Sequence, residues 1–419
     1  MKVYSTEVKI EGRFDDIRPG MSSKVEIVVK RLGNVIAVPV QCVVTRGGKK
    51  LSYIKQDGKV QAVEVVAGAS NDSFVEIKNG IKEGDEVLVQ AYTCVVVSNA
   101  IIWTGAKPVY VDVGDDFNIN LEDLKNKITE KTKVLIIQHT FGLSVEMDEI
   151  LQIARENNLK VIEDCAHSFG AKYKENFLGT FGDIGMFSFG SDKIISCVRG
   201  GALITSDPKL KKNITELYTN LPELKITKII QHLFHYPFFY FGKMLYGLYI
   251  GKIILWVGKK FKIMNKIIEQ PEKKGEKVDY FPAKLPNALA AILEKQLSET
   301  IFINKHRQKI AHFYNDNLDN KKIELPFKNV SSDCVYLRYP ILVTDKNKLS
   351  LFAKKQGILL GDWYNAPVAP KDIDIQKTGY VSGSCTKAEK LSLGSLNLPT
   401  NRHVSLKDAK RVVDVINNF

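Results

Sequence analysis

The chain has 419 residues, too many for one ordinary core, so two or three domains are expected. Its 44% hydrophobic and 26% charged residues are those of a globular chain, with no tract of low complexity and no repeat at a fixed period. The net charge of +13 is spread as lysines over the whole length, which sets nucleic-acid binding aside and leaves an anionic small substrate as a fitting partner.

The six cysteines are far apart, with no CxxC and no histidines at ligand spacing, so the expectation is reduced, buried thiols, no disulfide framework and no metal site. The start, MKVYSTEVKIEGRFDD, lacks the apolar run of a signal peptide, and a cytoplasmic location follows from that.

From Val3 to about Val89 the pattern is strand-like: KVEIVVKR at 24–31 alternates, VIAVPVQCVV at 35–44 is apolar, and LSYIKQDGKVQAVEVV folds about Asp57-Gly58. An Asp-Gly pair supplies the positive φ angles of a two-residue hairpin turn. After Tyr92 the period changes. A helix is expected with Thr93 as N-cap and Gly105 as stop, then the strand KPVYVDV, a helix from Leu121, the strand KVLIIQH, a helix from Met147 to Asn157 and the strand LKVIED at 159–164. Strand and helix in alternation give crossover units on a mostly parallel sheet, whose ligands sit beyond the carboxyl ends of the strands. Asp164 stands at one such end, and a carboxylate there is more often functional than structural because burying an unpaired charge is costly.

In FGDIGMFSFGSDKIISCVRGGALIT, at 181–205, strands flank a turn that holds Lys193. A lysine in an apolar, glycine-rich surround is a candidate for a lowered pKa and a nucleophilic amine able to form a Schiff base; a turn residue facing water is the competing reading.

These residues do not come alone. GAKPVYVDV at 105–113, VIEDCAHSFGA at 161–171, FGDIGMFSF at 181–189 followed by Lys193, GGALIT at 200–205 and AEKLSLGSLNLP at 388–399 are similar, in this order, to the DegT/StrS-type aminotransferases that aminate nucleotide-linked keto-sugars. The resemblance spans residues 84–419. It implies an α/β fold of the PLP-dependent transferase (aspartate aminotransferase-like) kind. Lys193 would hold pyridoxal 5'-phosphate covalently and serve as general base, Asp164 would pair with the pyridine nitrogen, Ser188 would bind the phosphate, and His167 would lie near the ring oxygen. A structural histidine is the alternative for His167. A lysine rather than a histidine at 193 argues for transamination against the dehydratase branch. Nucleotide-sugar substrate, glutamate as donor and a homodimer follow from the same resemblance.

The chain also departs from that family. Cys94 stands where many members stack an aromatic on the cofactor ring, and FPAKLPNALAAI at 281–292 replaces a partner-subunit asparagine and arginine motif, leaving Lys284 or Asn287 as substitutes. The family's N-terminal segment, with a Ser-Gly-Thr turn opening a phosphate-binding helix, is missing. In its place RPGM at 18–21, VIAVPVQCVVTRGG at 35–48 and VEIKNGIKEGDEVLV at 75–89 resemble the C-terminal β portion of periplasmic adaptor subunits of efflux pumps. Residues 80–90 read correctly from either side, so the chain looks chimeric. It is divided as an adaptor-like all-β module at 1–85, a PLP-binding large domain at 86–270 and a small α+β domain at 271–419. A non-enzymatic adaptor-like interaction protein or an inactive remnant is the alternative to the enzyme.

The aromatic stretch at 229–262 has no uncharged run long enough to span a bilayer. A membrane-surface helix or a helix packed in the core or at a dimer contact are the choices, and aromatic stripes being usually packed favours the second. His232 and His235 within it lack further metal ligands. In the small domain a long helix over 285–317, the strand VYLRYPILV, a helix over 346–356 and a last helix opened by Ser405 and Asp408 are expected. Trp363 and Tyr364, in the loop GDWYNAPVAP, are candidate substrate contacts, with surface packing as the other reading.

Overall fold

The computed structural model describes residues 36–46, 49–56, 59–65, 67–70, 74–77, 84–260, 264–325 and 333–419. The chain divides into two compact units, Met1–Gly80 and Ile81–Phe419.

In the first unit β1 (Ile36–Pro39), β2 (Val43–Arg46), β3 (Lys49–Gln56), β4 (Lys59–Glu64), β5 (Ala67–Ser70) and β6 (Phe74–Ile77) form two three-stranded sheets, β1-β6-β5 and β2-β3-β4. All pairings are antiparallel, and Gln56 faces Lys59 across the β3–β4 hairpin. That register leaves two linking residues, Asp57 and Gly58, which lie outside the described residues, as do RPGM and KVEIVVKR. Cys42 is exposed, contrary to the expectation of buried thiols; Cys165, Cys197, Cys334 and Cys385 are buried and all six are free.

The second unit is built on a six-stranded sheet. Its strands are β7 (Glu86–Gln90), β9 (Lys107–Val111), β10 (Thr132–Gln138), β11 (Lys160–Asp164), β14 (Ile184–Ser188) and β15 (Gly201–Ile204), in the order β15-β14-β11-β10-β7-β9; β8 (Thr93–Cys94) lies outside this sheet. Every pairing is parallel except β14 with β15. The strand Glu86–Gln90 is thus paired on both sides within the α/β unit.

Alternation along these strands sends side chains to two cores. Leu88, Leu135, Ile137 and Val161 join one cluster, and Val87, Val89 and Val134 join the other. Helices α1 (Val95–Ile102), α2 (Leu121–Asn126) and α3 (Met147–Glu156) follow β8, β9 and β10 in the chain. Met147, Ile150 and Ile153 of α3 close the first core, and Val95 and Ile101 of α1 close the second. The first helix does not start as expected. Cys94 holds the N-cap position with no side-chain cap bond, because the Thr93 hydroxyl donates instead to Gln138 Oε1 at 2.6 Å.

Short strands β12 (Lys172–Tyr173) and β13 (Asn176–Phe177) form a hairpin before β14. After β15 come α4 (Pro208–Thr219), α5 (Ile226–Met244), α6 (Ile250–Lys260) and α7 (Gln270–Lys273). The single long helix expected over 285–317 is two, α8 (Asn287–Leu297) and α9 (Thr300–Asn317). Ser298 Oγ donates to the Lys295 carbonyl and Thr300 Oγ1 to that of Gln296, local bonds that compete with the helical ladder at the break. Beyond it, β16 (Ile323–Glu324), β17 (Tyr339–Val343) and β19 (Ser395–Leu398) make an antiparallel sheet. β18 (Val368–Ala369) pairs with β8 instead. The expected strand over 335–343 is therefore only its second half.

α10 (Lys346–Lys355), α11 (Thr386–Gly394) and α12 (Leu406–Asn417) complete the chain. The capping box of α12 is present, Ser405 and Asp408 each bonding the other's backbone N–H. Tyr314, Tyr339, Ile341, Leu349 and Val412 sit in a third apolar cluster.

Candidate active site

Four of the five parallel strands end in polar residues at one edge of the sheet, Gln90, Gln138, Asp164 and Ser188. Gln138 lies opposite Asp164 in register, and Asp164 opposite Met186. These polar ends are tied into the structure. Gln90 Nε2 donates to Thr140 Oγ1 at 2.9 Å and to the Phe117 carbonyl at 3.1 Å, while Gln138 Nε2 donates to Thr140 Oγ1 at 3.0 Å. Beneath them Tyr92, Phe117, Phe141 and Tyr364 meet in a buried aromatic group.

Asp164 differs from its neighbours. It is 4% exposed, its Oδ1 accepts the Ala166 N–H at 3.0 Å, and its Oδ2 accepts no hydrogen bond from a described residue. Burial pushes its carboxyl above the ordinary value, against the pull of the Ala166 amide and the Lys193 ammonium. A buried carboxylate with an open oxygen is a seat for a cation or a proton donor.

Lys193 lies in the turn between β14 and β15. Its Nζ is 3.9 Å from Asp192 Oδ2, and Arg338 approaches the same oxygen at 3.8 Å from the other side. The charge of Lys193 acts on Asp164, His167 and Cys94, so these four groups share one small region. Gly190 lies beside both side chains: a Cβ on it would stand 3.7 Å from Lys193 Cγ and 3.8 Å from Ser188 Oγ, ordinary contact distances that place the two near each other. The turn itself is clamped: Gln296 of α8 bonds both the N–H and the carbonyl of Ser196, and Tyr236 of α5 bonds the Ser196 hydroxyl at 2.6 Å.

His167 packs beside Phe141 and Tyr364, the three ring centres 5.9–6.3 Å apart, with its ring plane 10° and 24° from theirs. Its Nδ1 accepts the Phe141 N–H at 3.3 Å, which puts the proton of a neutral ring on Nε2, 3.5 Å from the Tyr364 hydroxyl. Burial holds the imidazole pKa well below its usual value and, with Lys193 and Arg338 nearby, keeps it uncharged. Burial likewise raises the Cys94 thiol to about 12, so it is no thiolate nucleophile. Tyr364 is buried in this group rather than packed on the surface; Trp363 beside it is partly buried, its indole N–H without a hydrogen-bond partner among the described residues.

Lys284 and Asn287 are not in this cluster. Lys284 pairs with Glu223 at 3.3 Å, and Asn287 opens α8. Sequence reading passed over Arg338, whose place beside Asp192 only the fold reveals. It also passed over Glu163, one residue before Asp164 and on the opposite face of β11. Glu163 accepts backbone N–H groups of Gly179, Phe181 and Gly182 at 2.6–2.7 Å and faces His139 Nε2 at 3.5 Å. Burial alone would raise its carboxyl, but His139 and these amides outweigh that and hold it below the ordinary value. With Cys165 these two form a buried trio of ligand-type atoms within 4.8 Å of one another, in which the carboxylate oxygens are already taken by amides.

A protein-family model described as the DegT/DnrJ/EryC1/StrS aminotransferase family matches residues 60–223 and 264–417. GDP-perosamine synthase of Escherichia coli O157:H7 is 45% identical over 132 residues, 31% of this chain and 36% of that protein. The dTDP-3-amino-3,6-dideoxy-alpha-D-galactopyranose transaminase of Aneurinibacillus thermoaerophilus is 27% identical over 340 residues, 80% of this chain and 79% of its own. The first curated relatives are each matched over about a third of their length. A crystal structure of a DegT DnrJ EryC1 StrS aminotransferase from Brucella abortus shares the fold, with a TM-score of 0.61 at 24% identity over 81% of this chain and 80% of that one. With its six-stranded sheet, its strand-end cluster and this match over most of its length, the chain belongs to the DegT/DnrJ/EryC1/StrS aminotransferase family.

Proposed function

We propose that the protein is a pyridoxal-phosphate aminotransferase that moves an amino group from glutamate to a nucleotide-linked keto-sugar. The observation that carries this is the meeting of Lys193 with a buried, partly unpaired Asp164 at the strand ends, with Ser188 close by. The donor set fits the cofactor: an amine for its aldehyde, a carboxylate for its ring nitrogen, and a hydroxyl at Ser188 for its phosphate. Pyridoxal phosphate, when bound, supplies a ring that takes up the electron pair left as an α-proton departs.

The chain's own residues do the rest. Asp164, through the open Oδ2, holds the proton on the ring nitrogen; its buried setting strengthens that pairing. Lys193 Nζ, as a free amine, would take the α-proton of the donor in one half-reaction and, in the other, deliver a proton to the sugar carbon being aminated. Asp192, between Lys193 and Arg338, keeps two cations from crowding each other, and Arg338 is placed to meet an anionic group of donor or sugar nucleotide. His167 and Tyr364 position the floor of the site, and Cys94 borders it. The adaptor-like β unit is on this reading an appended module without a part in amination, and the second subunit of a homodimer completes the substrate pocket.

The substrate class draws on the relatives, two of which carry nucleotide-sugar names. The test is a half-reaction. Protein loaded with pyridoxal phosphate should lose its yellow absorbance on adding glutamate and regain it on adding a GDP- or dTDP-linked keto-sugar. No change with glutamate, or none on return, would refute the proposal.

A further inference from the structure

The family match leaves out residues 224–263, and that gap coincides with α5, α6 and their link. The two helices pack as a close hairpin. A Cβ on Gly242 would lie 2.5 Å from Leu255 Cδ2, and one on Gly251 only 2.1 Å from the Gly242 carbonyl oxygen, so the backbones meet where side chains are absent. The histidines of the inward face are bonded: His232 Nδ1 bonds Asn265 Oδ1 at 2.8 Å, and His235 Nδ1 accepts the Asn265 N–H at 3.2 Å.

The outward face is apolar and uncovered. Ile226, Ile230, Phe234, Phe241 and Met244 follow helical spacing along α5 and are all exposed, Phe241 by 59% and Met244 by 72%. On α6, Ile250, Ile253 and Trp256 repeat every third residue, with Trp256 58% exposed. Of the two packings expected for this stripe, core or dimer contact, the first is thus corrected. An apolar stripe of this extent on a soluble surface marks a docking site.

The charge around it identifies the occupant. Between Glu223 and Glu269 the sequence has eight lysines and no acidic residue. Lys252 Nζ lies 4.2 Å from the Tyr249 ring centre and Lys260 Nζ 4.6 Å from that of Trp256, pairing cationic heads with amphipathic rings. A second copy docked here by two-fold symmetry would bring both lysine sets together with no acid of the segment to neutralise them, and lysine is depleted at protein contacts. Among the described residues no helix is long and apolar enough to cross a membrane. Aromatic and aliphatic groups on one face with lysines at its margins are the pattern of a helix lying in the headgroup region.

We propose that the α5–α6 hairpin docks the protein on an anionic lipid bilayer surface. This is independent of the amination reading. The test is flotation of the full chain with vesicles of phosphatidylcholine alone and of phosphatidylcholine with phosphatidylglycerol at 3:1. Partition should be at least about tenfold higher on the anionic vesicles and fall with salt. Phe241→Ser with Trp256→Ser should lower it about tenfold or more. Lys243→Glu with Lys252→Glu, which leaves the apolar stripe intact, should erase the preference for anionic lipid. Equal binding to both vesicles, binding to neither, or unaltered binding by both variants would overturn the proposal. So would a dimer in solution that the serine pair dissociates, in a protein that ignores vesicles.

Discussion

The strand-end cluster and the α5–α6 hairpin break the usual rule of burial in opposite directions. One buries Gln90, Gln138, Asp164 and His167 among aromatic rings; the other leaves isoleucines, phenylalanines and a tryptophan in contact with solvent. Both arrangements are costly in isolation, and each is informative for that reason. In the cluster most polar atoms are satisfied, so the open oxygen of Asp164 stands out as a place for a ligand. In the hairpin the polar atoms of the inner face are satisfied, and the outer face is what lacks a partner. Tyr236, bonded to Ser196, is a direct link between the two.

The widest separation between them should appear with Lys193→Ala. Amination should fall by about 10³-fold or more, while the melting temperature stays near that of the parent, because the 3.9 Å contact with Asp192 is a loose one. An alanine variant with parental turnover would remove Lys193 from the chemistry.

Next in size is Asp164→Asn, with turnover expected to drop about 10²-fold although stability moves the other way. The folded carboxyl titrates above its unfolded value, so stability is fully present below about pH 4 and is lost as pH rises through the raised folded value. The asparagine variant without cofactor should therefore be the more stable at pH 8 and equal to the parent near pH 3. Denaturant melts at both pH values check the sign.

Glu163→Gln tests the buried latch on the far face of β11. An amide offers one acceptor oxygen where the carboxylate serves three N–H groups, and a loss of about 1.5–3 kcal/mol is expected at pH 7. Here the folded pKa is depressed, so the parent's advantage is present above about pH 4.3 and disappears as pH falls through the folded value. A cost that persisted unchanged at pH 3 would contradict the assignment. Smallest is Tyr236→Phe, which removes one bond worth about 0.5–1.5 kcal/mol between hairpin and lysine turn. A severalfold loss of turnover with unaltered vesicle binding is expected; the reverse would mean that the hairpin does not touch the site through this residue.

Much of the site was legible because it rests on periodicity. β7, β10 and β11 show themselves by apolar runs and Asp164 by standing at a strand end, whereas Ser188 and His167 came only through the family resemblance. The capping box of Ser405 and Asp408 is likewise a local signal that the fold repeats. Thr93 was misread as a cap because its partner, Gln138, is remote in sequence. Glu163, Arg338 and the Gln296 clamp depend wholly on such long-range meetings. The aromatic stripe misled for another reason: helical spacing shows that one face is apolar but not what that face meets.

The central claim is that Lys193 is the residue that holds the cofactor. Incubating the full chain with pyridoxal phosphate, reducing with borohydride and mapping the peptides by mass spectrometry tests it without any substrate. The account predicts a pyridoxyl group on Lys193, still formed in Asp164→Asn, whose defect lies in proton abstraction; label spread over surface lysines with Lys193 unmodified would contradict it.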